Sequence, residues 1–465
     1  MPQIAAELGG LRYYSWVFSS FLLAQTAMTV VFGKLADIYG RKPIMLFGIA
    51  VFLIGSILCG FAWSMPAMIV FRLIQGIGAG AVQPVAMTIV ADLYPARERG
   101  KIQGYLASVW AISAVAGPMV GALIIHSLSW SWIYWMNVPI GLAAAYGFYK
   151  YLKEEPKRQT ASVDVLGAAL FTCTVAALMV ALTDVGSGEA LHAWIAGGAF
   201  CVFLVLFILQ ERRAADPMIS FALWGRRPIA ATNGVMLFAM MSMIGLTTFL
   251  PMYVQGVLHR TPVVAGLALT MVMLGWPLSS TLAARLFPHT GLRPLMLTGS
   301  ALLPFGVCIL VFLTPDSSPV AAGVGSLVMG FGLGFLGVSS LVLIQDIVAA
   351  SERGSATASN MFARNLGSTI GATIFGAVFS YALAHSSGVE AVTSDQLKRV
   401  LEAPPGALDV NVAVAQALQQ SLHLTFIAML VISTIVIVMT LLIPSGVLSR
   451  LRKSHGQETV TTNAH

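Results

Sequence analysis

The sequence predicts an all-α polytopic membrane protein, and three observations predict it. Hydrophobic residues make up 57% of the 465 and charged residues only 10%, where a soluble domain carries about 25% charge; mean hydropathy is +0.83. The apolar residues fall into long runs, each near the ~20 residues that a helix needs to cross a bilayer core. The breaks between runs collect proline, glycine and charge, as loops do. In such a chain the +7 net charge is a statement about topology, not nucleic-acid affinity. The four cysteines (Cys59, Cys173, Cys201, Cys308) each lie in an apolar run, without metal-ligand spacing or a disulfide framework. The first ten residues lack the basic start and apolar core of a cleavable signal.

Thirteen runs are expected as helices: 14–32, 43–62, 65–90, 102–125, 132–151, 165–183, 194–209, 229–254, 263–286, 295–313, 320–344, 355–382 and 422–443. Alternating sides from a cytoplasmic 33–42 stretch leaves four bases outside (Arg12, Arg260, Lys398, Arg399) and two inside runs (Arg72, Arg364). The remaining 20 of the 26 bases are cytoplasmic, as the positive-inside rule demands. The chain then starts outside, and residues 2–8 read like the exit of a preceding helix, so one more helix is expected upstream of Met1. The outer loop at about 385–420 is acidic-leaning, and its 411–422 part is expected as a surface helix.

Gly33-Lys34-Leu35-Ala36-Asp37-Ile38-Tyr39-Gly40-Arg41-Lys42 places one acid and three bases between the first two runs. Lipid-immersed arms must leave such an elbow in water. Asp37 is placed to bond exposed N–H groups at a helix start, or to pair with a base such as Arg41. A solvated turn marking the cytoplasmic side is the simpler reading.

A repeat follows. Asp92…Glu98-Arg99-Gly100 recurs as Asp346…Glu352-Arg353-Gly354, and Gly117 corresponds to Gly371 at the same offset of 254 residues. Both segments join a helix ending in the cytoplasm to one returning from it. That is a parallel repeat about an axis along the membrane normal, with the 165–183 and 194–209 runs spare between the halves.

The motifs resemble those of the major facilitator superfamily and, within it, the fourteen-helix drug:proton antiporters. Gly33, Asp37, Gly40, Arg41 and Lys42 resemble the signature loop between the second and third helices. Arg72, Gln75, Gly76, Gly78 and Gly80 resemble the arginine-bearing fourth-helix motif. Gly117-Pro118-Met119-Val120-Gly121 resembles the fifth-helix antiporter motif, Asn137-Val138-Pro139-Ile140-Gly141 the start of the sixth helix, and Pro251-Met252-Tyr253-Val254-Gln255 the end of the ninth. Ser131 stands where a base is usual between Trp130 and Trp132, and Ala122 where a second glycine is usual. The resemblance implies the major facilitator fold: two six-helix bundles plus two extra central helices, thirteen of these helices present here. The expected organisation is a bundle over 1–158, two linker helices over 159–213, a second bundle over 214–448 and a cytoplasmic tail over 449–465.

Implied with it is secondary active export of amphiphilic drugs or toxic metabolites, cations among them, in exchange for protons by alternating access. A narrow metabolite transporter, or an uncoupled scaffold or sensor, are the alternatives. No catalytic residue, metal or cofactor is expected; the proton gradient is the energy source. The expected partners are the bilayer, a small amphiphile and protons, with a periplasmic adaptor protein as a further one and no nucleic acid. The expected location is the bacterial inner membrane, with the C-terminus cytoplasmic.

Residue chemistry adds roles. Arg72 lies inside a run, where an unpaired cation costs roughly 2.5 kcal/mol or more, so it must face a cavity or a polar partner; Gln75 is one turn away. A relay of protons is the role that resemblance implies for Arg72, Gln75 and Gly76. Gly117, Pro118 and Gly121 combine close helix contact with a kink. Candidate cavity residues are Trp110, Asn137, Phe249, Tyr253, Gln255, Asn360, Arg364 and Asn365. The 19 carboxylates all fall in loops, tails or helix ends, so a deep titratable acid is expected in the upstream helix, with Asp37 or Asp346 as substitutes.

Overall fold

The structure is a computed structural model. It describes residues 14–95, 128–154, 164–187, 190–214, 221–385 and 412–444, with scattered positions between 98 and 124. All regular structure among them is helical: α1 (Tyr14–Tyr39), α2 (Arg41–Gly60), α3 (Met65–Leu93), α4 (Trp132–Trp135), α5 (Asn137–Tyr151), α6 (Val165–Ser187), α7 (Ala190–Arg213), α8 (Phe221–Trp224), α9 (Arg227–Gly256), α10 (Pro262–Thr290), α11 (Leu292–Val311), α12 (Pro319–Asp346), α13 (Arg353–Ala384) and α14 (Val412–Leu441). Eleven of the described helices are long and apolar enough to cross a membrane.

Three expectations are corrected. The 33–42 stretch is not an elbow. α1 runs on through Gly33 and Asp37 to Tyr39, and α2 starts at Arg41, so the break is Gly40 alone. Hydropathy falls where charge begins, but intrahelical hydrogen bonding does not need lipid, and the charged side chains find partners on other segments. The 132–151 run is divided at Met136 into a four-residue helix and a fifteen-residue one. The expected surface helix near 411–422 is instead the first part of α14, continuous with the span. The 102–125 run falls largely outside the described residues.

Helix starts follow local chemistry. Ser64 caps α3, accepting from Ala67 N–H at 3.3 Å, with Pro66 just inside. Thr261 caps α10 ahead of Pro262. Pro tolerates these positions because its missing N–H would be unpaired there anyway.

The chain packs as two units. Unit 1 is Met1–Pro95, Val115–Arg226 and Ile344–Phe362; unit 2 is Ala96–Ala114, Arg227–Leu343 and Ala363–His465. In unit 1 a core of Phe32, Met45, Ile49, Leu53, Val85 and Ile89 fills the space between α1, α2 and α3. A second cluster seats Phe171 and Phe207 of the α6–α7 pair against Val30 and Val31. In unit 2 a larger core gathers Met236, Leu250, Val272, Leu303, Leu336, Phe375 and Phe426 from α9 to α14.

The internal repeat is built into the packing of each unit. In unit 1, a Cβ at Gly76 would strike Phe21 and Ala24, one at Gly78 would strike Gly48, and one at Gly80 would strike Gln25 and Met28. In unit 2, Gly330 meets Val272 and Gly275, Gly332 meets Gly299, and Gly334 meets Trp276 and Ser279. Residue for residue, the second set repeats the first. The helix break repeats too: Gly40 has φ 99° and ψ 158° before Arg41-Lys42-Pro43, and Gly291 has φ 81° and ψ 175° before Leu292-Arg293-Pro294.

Candidate functional site

Two polar clusters of unit 1 hold part of the set of residues that the sequence singles out. The first surrounds Arg41 at the α1–α2 junction. Gly40 turns the chain so that Arg41 folds back on α1: Nη2 meets Asp37 Oδ1 at 2.8 Å, four residues back, and Nη1 donates to the Ala36 carbonyl at 2.8 Å. Nε lies 3.0 Å from Asp92 Oδ2, at the end of α3, and Nη2 also donates to the Ala350 carbonyl at 2.9 Å. Asp37 Oδ1 accepts from Gly354 N–H at 2.9 Å, and Oδ2 accepts from both N–H (2.7 Å) and Oγ (2.8 Å) of Ser355. Asp37 therefore does both things its chemistry allows. It pairs with Arg41 and it closes the first turn of α13, where unpaired N–H groups and the helix dipole favour an anion. Gly33 lies flat against Gly354 and Ala358, letting the two helices approach.

Asp37 and Arg41 are 3% and 2% exposed, which sets aside the solvated turn. Lys42 points elsewhere, its Nζ 5.2 Å from the centre of the Tyr149 ring. Sequence reading missed three members. Glu154 accepts from Arg41 N–H (2.7 Å) and Lys42 N–H (2.8 Å), closing the start of α2 as Asp37 closes α13. Arg353 reaches Asp92 Oδ1 at 3.1 Å and the Gln345 carbonyl at 3.2 Å. Gln345 in turn donates to the Met87 carbonyl and to Thr357 Oγ1. The repeat marked Asp92 and Arg353 as equivalents of Asp346 and Arg99, but nothing in the spacing marks Glu154.

The second cluster centres on Arg72 of α3. Nε donates to the Val17 carbonyl at 3.2 Å and Nη1 to Gln75 Oε1 at 2.6 Å. Gln75 Nε2 donates to Ser56 Oγ at 2.7 Å, and Asn137 Nδ2 reaches the same hydroxyl at 3.5 Å. The guanidinium lies over Phe21 at 4.3 Å and Tyr134 at 6.0 Å. Arg72 is thus held by neutral acceptors and ring faces, and Ser56 is the node linking it to Asn137. Gly76 belongs to the crossing with Phe21, not to this hydrogen-bond chain.

The remaining candidates separate. Phe249 and Tyr253 lie in the packed interior of unit 2, against Phe379 and Phe426, with Tyr253 OH donating to the Leu313 carbonyl at 2.8 Å. Gln255 is half-buried in the last turn of α9, and Asn360 is buried in the part of α13 that groups with unit 1. Arg364 and Asn365 follow in unit 2, where Arg364 lies over the Trp276 ring at 5.6 Å. Gly117 is exposed with open space beside it. Trp110, Pro118 and Gly121 lie outside the described residues.

The family model described as Major Facilitator Superfamily matches residues 1–372. The chain is 37% identical over 384 residues to Multidrug resistance protein 3 of Bacillus subtilis (strain 168), covering 81% of this chain and 74% of that one. It is 31% identical over 383 residues to Multidrug transporter protein MdtP of the same strain, covering 82% and 71%. Among solved structures, the human organic anion transporter MFSD10 (TETRAN) superimposes with a TM-score of 0.61 at 16% identity, over 90% of this chain and 83% of that one. The proton:xylose symporter XylE bound to 6-bromo-6-deoxy-D-glucose gives 0.59 at 15% identity, over 96% and 88%. The chain belongs to the major facilitator superfamily, as an integral multi-pass membrane transporter rather than an enzyme.

Proposed function

We propose that this transporter belongs to the fourteen-helix drug:proton antiporters, and that it exports amphiphilic drugs or toxic metabolites across the bacterial inner membrane as protons enter. The observation that carries the coupling is the Arg72 cluster. A guanidinium well inside α3 is held by a carbonyl, an amide and two rings, so its charge is stabilised without being neutralised. Such a fixed cation lowers the proton affinity of whatever titrates beside it, and a proton that arrives is passed on rather than kept. The relatives named for multidrug resistance and multidrug transport support the export reading. The excess of bases on one side of the expected topology supports a cytoplasmic C-terminus. Alternating access by two bundles rocking about a midplane cavity is the mechanism this fold suggests.

The test uses inverted membrane vesicles carrying the full chain and a fluorescent amphiphilic dye. Dye uptake is expected to follow an imposed pH gradient and to stop when nigericin collapses it. Uptake that ignores the gradient rules out antiport.

A further inference from the structure

The two arginines deep in the spans are held very differently. Arg72 has two of its donors taken, by the Val17 carbonyl and Gln75 Oε1, and lies over two ring faces. The Arg364 guanidinium lies over the Trp276 ring, and among the described residues no ion pair or hydrogen bond reaches it. Its helix face is not a lipid face. Residues three, four and seven positions away share that face. Of these, Thr357, Asn360 and Met361 are buried, Gly367 lies against Leu237 and Gly371 against Met241. Arg364 itself keeps partial exposure on this face.

The surroundings are equally unspent. The Trp276 indole lies beside Gly337, whose missing side chain leaves room there. Ser280 is one turn along α10 from Trp276, and Ser340 is one turn along α12 from Gly337. Both hydroxyls are buried without a hydrogen-bond partner among the described residues. Among the described residues no acid is paired with Arg364. A guanidinium within cation–π range of a ring still has N–H donors to offer a planar oxyanion, while an aromatic ring offers a surface to an apolar body.

We propose that Arg364 and Trp276 form a subsite for the anionic group of an amphiphilic substrate, a carboxylate or sulfonate on an aromatic body, with Ser280 and Ser340 as further donors. The word substrate rests on the export reading; the binding chemistry does not. Cationic amphiphiles are disfavoured at this subsite by the same charge.

The test is calorimetric titration of the purified full chain with three ligands sharing one body: 1-naphthylacetate, neutral 1-naphthylacetamide and cationic 1-naphthylmethyltrimethylammonium. The acid is expected to bind at least tenfold tighter than the amide, and the cation weakest. Arg364→Gln is expected to weaken the acid tenfold or more and to leave the amide within twofold, which also reports an intact fold. Trp276→Leu should weaken all three, and Trp276→Phe much less. If Arg364→Gln does not fold, Arg364→Lys carries the test: a Lys lacks the fork and should lose several-fold for the acid alone. The proposal is overturned if the acid does not bind, if acid and amide bind alike, if the cation binds tightest, or if removing the guanidinium leaves acid affinity unchanged. Dye uptake in vesicles that persists through such a failure spares the export reading; charge-selective binding without uptake spares the subsite.

Discussion

At the scale of single residues, Arg41 ties together the first polar cluster of unit 1. It touches the acids of α1 and α3 and two backbone carbonyls. Asp37 gives it a partner and also supplies the first turn of α13 with three acceptor contacts. Breaking a buried pair by removing one partner costs about 3–5 kcal/mol, because the other charge stays buried. Asp37→Ala is therefore expected to lower the thermal unfolding midpoint in detergent by several degrees. Asp37→Asn, which keeps an acceptor for Ser355, should recover part of that loss. Equal midpoints for the wild type and Asp37→Ala would mean that this pair holds nothing together. Asp37 and Arg41 were legible in the sequence because an acid and a base stand close together in a charged stretch between two apolar runs, where each needs a partner. Their partners on α13, and Glu154 on the far side of α2, were not. These contacts join residues more than a hundred positions apart, and a carboxylate that caps a distant helix leaves no local pattern.

At the scale of elements, the hydropathy runs located the helices but not their ends. α1 extends seven residues past the expected stop at Phe32, and the charge that seemed to end it instead lies on its last two turns. The actual stop is conformational. Gly40 occupies a region of backbone space that costs a residue with a side chain roughly 1–3 kcal/mol. A Cβ there would also press on the Glu154 carboxylate that closes α2. Gly291 shares the backbone conformation but has open space around it. Gly40→Ala is thus expected to destabilise more than Gly291→Ala, by the disturbance of the Glu154 cap, when both are compared by thermal unfolding. Identical shifts would assign the whole cost to the backbone. The motif Gly-x-x-Pro, present at both breaks, was the signal that sequence reading left unused.

At the scale of the whole molecule, the repeat seen in the sequence at Asp92 and Asp346 extends to packing contacts that no acidic or basic motif announces. Gly48, Gly55, Gly76, Gly78 and Gly80 in unit 1, and their counterparts in unit 2, are positions where one helix lies closely against another. Part of this set falls outside the register of the acid–base repeat, because the two copies are not in constant register. Gly40, Gly48 and Gly55 match Gly291, Gly299 and Gly306 at an offset of 251, whereas Gly76, Gly78 and Gly80 match Gly330, Gly332 and Gly334 at 254. The slip of three residues falls between Gly306 and Gly330, a stretch that includes the turn joining α11 to α12.

That slip bears on descent. If the two copies arose by duplication, three residues were later gained or lost, and the change settled in a connecting turn while every buried crossing stayed aligned. Shortening the Phe312–Ser318 turn by three residues should then restore the ancestral spacing and leave a monodisperse, transport-competent protein. The same excision inside α11, at the level of Gly299, would rotate its packing face by most of a turn and should abolish folding.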